Sequence, residues 1–301
     1  MLRAPESDET DALVDWVEAN CLFEDQETLS DAALKSALEE QGLGAEAPEE
    51  ELVNIRKNIE LRRRYGGECY PLKTTLSSVQ RTFRWNERPV YAFQLLLSLR
   101  SHYGSSFPRD RAWRKATKLF ERVVTSAWRG YLQGRALNVG FPRERKIRSF
   151  TKCLEYVCNE LNEELGENLL CKRGVKDDYV DVIAWRSFGD RRGGQVIVLV
   201  GCTIGEDLEQ KAQEIHAAPE IWKDHIKWCA SPSTSFAFPH ICVDSQSWRR
   251  LSAVGGILLD RLRISCMLSQ DRADEAKALN EEIARWCKEQ LRSLNKLRVR
   301  T

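Results

Sequence analysis

The sequence predicts an α+β protein, with a mainly α-helical N-terminal region followed by an α/β domain on a mixed central sheet. Three observations predict it. Apolar residues recur at helical spacing through most of residues 1–133, and after Ser149 a helix gives way to short apolar runs. With 301 residues, each half is long enough to bury its own core. A hydrophobic share of 42% and a charged share of 30% exclude a disordered or collagen-like chain. The longest apolar runs, 196–200 and 255–259, fall far short of the ~20 residues of a membrane helix, so no membrane partner is expected. Residues 1–9 are acidic and lack the pattern of a secretory signal, so a cytoplasmic location is expected.

The first helix covers about residues 10–20, with Leu13, Val14 and Val17 on one face. Ser30 caps a second over 31–40, and Gly42 ends it. A third opens on Glu49, Glu50 and Glu51 and closes on Arg62, Arg63 and Arg64, complementing its own dipole, before Gly66 and Gly67 stop it. Residues 69–84 hold short strands. Pro89 starts a buried helix over 90–103, where Phe93, Leu95, Leu96, Leu97 and Leu99 leave little polar face. Residues 110–133 make the clearest amphipathic helix, with Ala112, Ala116, Leu119, Phe120, Val123, Val124, Ala127 and Tyr131 on its apolar side. Residues 134–142 are turn-rich. The second half then holds a helix over 149–165, a strand at 169–172, and stronger strands at 180–185 and 195–202 around a turn at 189–194. A helix over 207–216, a strand at 235–243 and an apolar stretch over 248–262 broken at Gly255-Gly256 follow. The terminal helix, 271–294, carries a stripe of Ala276, Leu279, Ile283, Trp286, Cys287 and Leu294.

The net charge of +1 conceals three blocks. Residues 1–51 carry 2 basic and 16 acidic side chains, net −14; residues 52–150 carry 22 and 6, net +16; the remainder is close to neutral at −1. The blocks divide the chain into an acidic helical arm over 1–51, a basic helical domain over 52–145 and an α/β domain over 146–301. A stretch this basic has the composition of a polyanion-binding surface, because phosphate neutralisation supplies affinity independent of sequence. Arg111, Arg114, Lys115, Lys118 and Arg122 on the amphipathic helix, with Arg143, Arg145 and Lys146 after it, are the expected nucleic-acid contacts. Phe83, Trp85, Trp113 and Trp128 either stack bases or pack helices. The alternative is a solvated helical surface paired with the acidic block. That block itself either folds over the basic surface as a gate or docks a protein partner.

No phosphate-binding glycine loop and no G-x-S-x-G elbow occurs, and the four histidines show no metalloprotease spacing. The ten cysteines contain no Cys-x-x-Cys, and their nearest approach to a zinc set is the pairs His225/Cys229 and His240/Cys242. Catalysis, if present, rests on carboxylates. Glu155 lies on the helix over 149–165, and Asp177, Asp178 and Asp181 precede or open the strand Val182-Ile183-Ala184-Trp185. Carboxylates at the mouth of a strand beside a neighbouring helix suit a hard cation, which takes oxygen ligands and keeps positions for water and phosphate. The competing reading is a solvated acidic turn.

The order of these elements over about residues 149–216 resembles Mrr-type members of the PD-(D/E)XK restriction-endonuclease superfamily. The resemblance implies that the α/β domain is restriction-endonuclease-like, with Glu155 as the helix glutamate and Asp181 as the strand aspartate. It implies Mg²⁺ or Mn²⁺ held by Glu155, Asp181 and the Cys202 carbonyl. Where the family carries Gln/Glu-x-Lys, this chain reads Gly201-Cys202-Thr203, and Lys211 on the next helix becomes the candidate for the displaced lysine.

The resulting expectation is a metal-dependent DNA endonuclease, or nuclease-like DNA-binding protein, of a restriction or phage-defence system, with Glu155, Asp181 and Lys211 acting on the phosphodiester. The alternative is a catalytically inactive nuclease-fold subunit that binds DNA or scaffolds a larger defence complex. A third reading makes both halves protein-interaction surfaces.

Overall fold

The structure, a computed structural model, describes residues 1–7, 9–24, 26–40, 47–104, 113, 115–140, 149–167, 178–294 and 297. The expected strand at 169–172 and Asp177 lie outside the described residues. The N-terminal region holds α1 (Thr10–Phe23), β1 (Thr28–Ser30), α2 (Asp31–Glu39) and α3 (Ala47–Gly66), then a 3-10 turn (Gly67–Cys69). Next come β2 (Leu72–Thr74), β3 (Ser78–Arg81), α4 (Pro89–Tyr103) and α5 (Ala116–Leu132). As expected, Ser30 caps α2, its hydroxyl accepting from the Ala33 N–H at 3.2 Å, and Pro89 opens α4.

The second half contributes β4 (Arg135–Asn138), α6 (Phe150–Leu161), β5 (Glu164–Leu165), β6 (Val182–Arg186), β7 (Val196–Cys202) and α7 (Leu208–Trp222). It continues with β8 (Ile226–Lys227), β9 (Ser233–Ala237), α8 (Ser245–Gly255), β10 (Ile257–Leu259), α9 (Arg261–Leu268) and α10 (Asp274–Leu294). None of the described helices is long and apolar enough to cross a membrane.

A five-stranded mixed sheet, in the order β10-β9-β7-β6-β4, organises the core. β4, β6 and β7 pair antiparallel, whereas β9 runs parallel to both β7 and β10. Helices cover both faces. Val182, Ala184, Val198 and Val200 join the core of the N-terminal helices, α5, α9 and α10; Ile183, Trp185, Ile197 and Leu199 face α6, α7 and α8. That explains why β6 and β7 read as apolar runs, since helices cover both faces of their central residues. A smaller antiparallel sheet, β1-β3-β2, lies in the N-terminal region.

Three sequence expectations need correction. The boundary at 51/52 falls inside α3, and that at 145/146 separates α5 and β4 from the sheet that α5 packs on and β4 extends. β4 itself arises from the segment read as turns. Nor are residues 1–51 an arm or a gate laid over a surface: Ala12 to Leu22 of α1 are buried throughout, packed on α3 and α4.

The acidic and basic blocks do meet, but in the interior. Arg62 of α3 and Arg261 of α9 are fully buried together with Asp15 and Glu18 of α1. Arg62 donates to Asp15 at 2.5 Å and Glu18 at 2.7 Å; Arg261 donates to Asp15 at 2.7 Å and Glu18 at 2.9 Å. Tyr91 and Ser98 of α4 add hydroxyl donors, at 2.8 Å to Glu18 and 2.5 Å to Asp15. Burial alone would raise the Asp15 carboxyl, but Arg261 and Arg62, aided by His102, outweigh it and hold the group well below the carboxylate range.

Removing one partner of such a cluster leaves an uncompensated buried charge. Arg261→Ala is expected to lower the unfolding free energy in urea at pH 7 by about 3–5 kcal/mol, and a loss below about 1 kcal/mol would contradict the account. Because the folded Asp15 pKa is depressed, its contribution is complete above about pH 4 and is lost as pH falls toward the folded value. The wild-type advantage over Arg261→Ala should therefore shrink in acid.

Candidate functional site

Asp181 stands where β4, β6 and β7 meet. Its N–H donates to the Val200 carbonyl at 2.9 Å, and its own carbonyl accepts from Val139 and Gly140 at 2.8 and 3.0 Å. One side-chain oxygen, Oδ2, accepts the Cys202 N–H at 2.7 Å. The chain reaches this point through two consecutive residues in the left-handed region, Asp178 at φ 43° and Tyr179 at φ 69°. Tyr179 is a bulky residue in a conformation that favours glycine, and such strain persists only where the surroundings impose it. Here they do: His225 Nε2 meets the Asp178 carboxylate at 2.5 Å, and the Trp222 indole N–H donates to the Asp178 carbonyl at 3.2 Å.

The carboxylate that faces Asp181 comes from α5. Glu121 is buried, and its Oε2 accepts from Lys118 Nζ and Asn138 Nδ2, both at 2.8 Å. Lys118 also donates to the Gly140 carbonyl at 2.7 Å and to the Asn138 side chain. A β-carbon added to Gly140 would lie 2.9 Å from Glu121 Oε2 and 3.0 Å from Asp181 Oδ1. Glycine thus leaves open a cradle between two carboxylate oxygens from different elements.

On its other side Asp181 borders a cavity of about 200 Å³, shared with Tyr179, Gly201, Cys202, Lys211, Glu214 and Phe236. Lys211 pairs with Glu214 at 2.5 Å. Asp181 therefore stands between two lysine–glutamate pairs, Lys118–Glu121 on α5 and Lys211–Glu214 on α7. Burial, then the Asp181 and Glu121 carboxylates, push the Cys202 thiol well above its ordinary value. The thiol stays protonated and is not a nucleophile at neutral pH.

The structure brings Asp181, Cys202 and Lys211 of the expected set together. It does not bring Glu155, which is exposed on α6 and does not line the cavity beside Asp181. The helix carboxylate that lies near Asp181 is Glu121 of α5. The signal was present: Glu121 is the sole acid in the α5 sequence, next to Phe120 on the apolar side. Among the described residues no group of three or more His, Cys, Asp or Glu side chains is arranged to hold a metal ion. Two converging carboxylate oxygens are nevertheless a donor set that suits a hard cation retaining waters.

The basic stripe of α5 is largely neutralised within the chain. Lys118 pairs with Glu121, Arg122 with Glu282 at 2.6 Å, and Arg129 with Asp271 at 2.8 Å. Lys115 is exposed, whereas Arg111, Arg114, Arg143, Arg145 and Lys146 lie outside the described residues. Trp113 and Trp128 are buried packing residues, Trp113 edge-on to Trp286 of α10 at 5.1 Å, and do not stack bases.

Gly140→Ala tests the cradle. The added methyl meets two carboxylate oxygens with no partner to offer, and it is expected to destabilise the fold by about 1–3 kcal/mol, read as an unfolding midpoint shift. An unchanged midpoint would show that the oxygens do not converge there. Compared with protein-family models, curated proteins and solved structures, the chain matches none of them.

Proposed function

We propose that the protein is a metal-dependent endonuclease acting on DNA, on a restriction-endonuclease-like core formed by α5, β4, β6, β7, α7 and β9. One observation carries the reading. Glu121 from a helix and Asp181 from the mouth of a strand direct oxygens into the same glycine-lined gap at the end of a mixed sheet. The role that the family resemblance gave to Glu155 passes to Glu121.

In this reading Glu121 and Asp181, with the Cys202 carbonyl, hold Mg²⁺ or Mn²⁺. A bound cation supplies an acidified water and a polarised phosphate. The chain's own groups do the rest. The Cys202 N–H fixes the Asp181 carboxylate, while Lys118 and Asn138 fix Glu121, so neither side chain reorients when substrate enters. Lys211 lines the cavity beside Asp181 paired with Glu214, so an anionic phosphate gains from its charge only by displacing Glu214 from it. With Arg122 and Arg129 already paired, the backbone grip falls to Lys115 and to the basic residues at 111, 114, 143, 145 and 146.

A second reading, a nuclease-like subunit that binds DNA or scaffolds a defence complex without cutting, is favoured by a specific observation. Gly201-Cys202-Thr203 offers no side-chain carboxylate, and Glu121 Oε2 already has two donors. Assays of duplex DNA nicking with Mg²⁺ or Mn²⁺ separate the two. Wild type is expected to cut, Glu121→Gln and Asp181→Asn to lose about 10²-fold or more, and Glu155→Gln to retain full rate. Cutting that survives in folded Asp181→Asn overturns the site; a wild type that binds DNA with steep salt dependence yet never cuts supports the second reading.

A further inference from the structure

At the rim of the cavity beside Asp181 stands an aromatic ring that the fold itself leaves unused. Tyr179 lies two residues before Asp181, so at most about 7 Å separates their α-carbons, and it lines the same cavity as Gly201, Lys211 and Phe236. Its backbone is seated: a β-carbon on Gly201 of β7 would lie 3.4 Å from the Tyr179 carbonyl oxygen, and Val180, next in the chain, is buried. Its side chain is not. Tyr179 is 49% exposed, and no described residue stacks on the ring or hydrogen-bonds to its hydroxyl. The backbone there is left-handed, at φ 69°, where a β-carbon carries a cost that glycine avoids. A buried ring would offset that cost by packing, whereas this one stands half in solvent.

We propose that Tyr179 is a stacking platform for a nucleobase lifted out of its helix beside the phosphate bound at Asp181. The inference rests on the reading of the site as one for DNA, whether or not the chain cuts. A cavity of about 200 Å³ falls below the ~300–1,000 Å³ of pockets that enclose a whole small ligand, so it suits one unit of a polymer. A tyrosine face accepts any base, because every base has a π-face. Within a duplex those faces are covered by neighbouring bases, so Tyr179 meets one only where a nucleotide is unpaired or extruded. The substrate class that follows is DNA with an unpaired or extruded nucleotide at the site.

The ring is held ready for that contact. His225 and Trp222 fix Asp178 directly before it, and β7 receives its backbone at Gly201, so little freedom is lost when a base arrives. A strained residue kept at a ligand clamp is where such conformations persist. Tyr179 is accordingly a positioning residue: it sets which nucleotide lies beside the carboxylates and takes no part in bond cleavage.

The test measures binding of the full chain by fluorescence anisotropy, at fixed salt and in EDTA so that nothing is cut. The probes are a fully paired duplex, the same duplex with a bulged adenine, and one with an abasic bulge. Wild type is expected to bind the bulged adenine about 5- to 150-fold more tightly than the abasic bulge, the equivalent of one base stack. Tyr179→Ala should lose that preference while holding the abasic bulge within about twofold of wild type, and Tyr179→Phe should keep it. Tyr179→Gly should lose it at a melting temperature no lower than wild type, because glycine relieves the left-handed backbone. A Tyr179→Ala protein that still prefers the bulged adenine, or a wild type that binds DNA without the preference, overturns the platform and leaves the DNA reading standing. A melting temperature several degrees lower in Tyr179→Gly assigns the ring to the fold and overturns it as well. A wild type that binds none of the three duplexes overturns both.

Discussion

The buried cluster of Asp15, Glu18, Arg62 and Arg261 is the constraint on which the arrangement depends. Each ion carries a desolvation cost of several kcal/mol, so the cluster is tolerable only if nearly every lone pair and proton finds a partner. The partners come from distant parts of the chain: α1, α3, α4 and α9, with Arg261 also donating to the Pro239 carbonyl just after β9 at 3.0 Å. Chain segments that could pack loosely in several ways are thereby held in one way. The cluster fixes where the N-terminal helices sit against the parallel edge of the sheet, and hence one side of the core that α5 also fills.

The candidate site is the polar counterpart at the opposite edge. α5 buries its apolar stripe on β4 and β6, and in doing so sets Lys118 and Glu121 over the end of the strands where Asp181 and Gly140 come together. The strained entry through Asp178 and Tyr179 is held by His225 and Trp222 at the end of α7. A site made this way is pre-formed: its carboxylates are oriented by backbone and side-chain donors that belong to the fold, not to a ligand.

Much of this was legible in the residues. Apolar spacing placed α1, α4, α5 and α10 within a few residues, and the continuous runs at 196–200 and Val182-Ile183-Ala184-Trp185 marked strands covered on both faces. Two readings failed for identifiable reasons. Helical spacing shows which residues share a face but not which face meets which neighbour, so it did not show that Glu121, rather than Glu155, lies beside Asp181. β4 is four residues long between Gly134 and Gly140, and its pairing with β6 supplies what its own composition lacks. The charge blocks were read as a polyanion-binding surface beside a gate or docking arm, whereas Arg62 of the basic block is buried against Asp15 and Glu18 of the acidic one. Sequence gives the sum of charges, whereas tertiary contacts decide which are buried.

The central claim is that Glu121 and Asp181 form one cation site. Titration of the metal-free protein with Mn²⁺, followed by electron paramagnetic resonance of the unbound ion, tests it without reference to activity. The account predicts one bound Mn²⁺ per chain, lost in Glu121→Gln and in Asp181→Asn and kept in Glu155→Gln. A wild-type protein that binds no Mn²⁺ at millimolar concentration, or one whose binding survives both substitutions together, would contradict it.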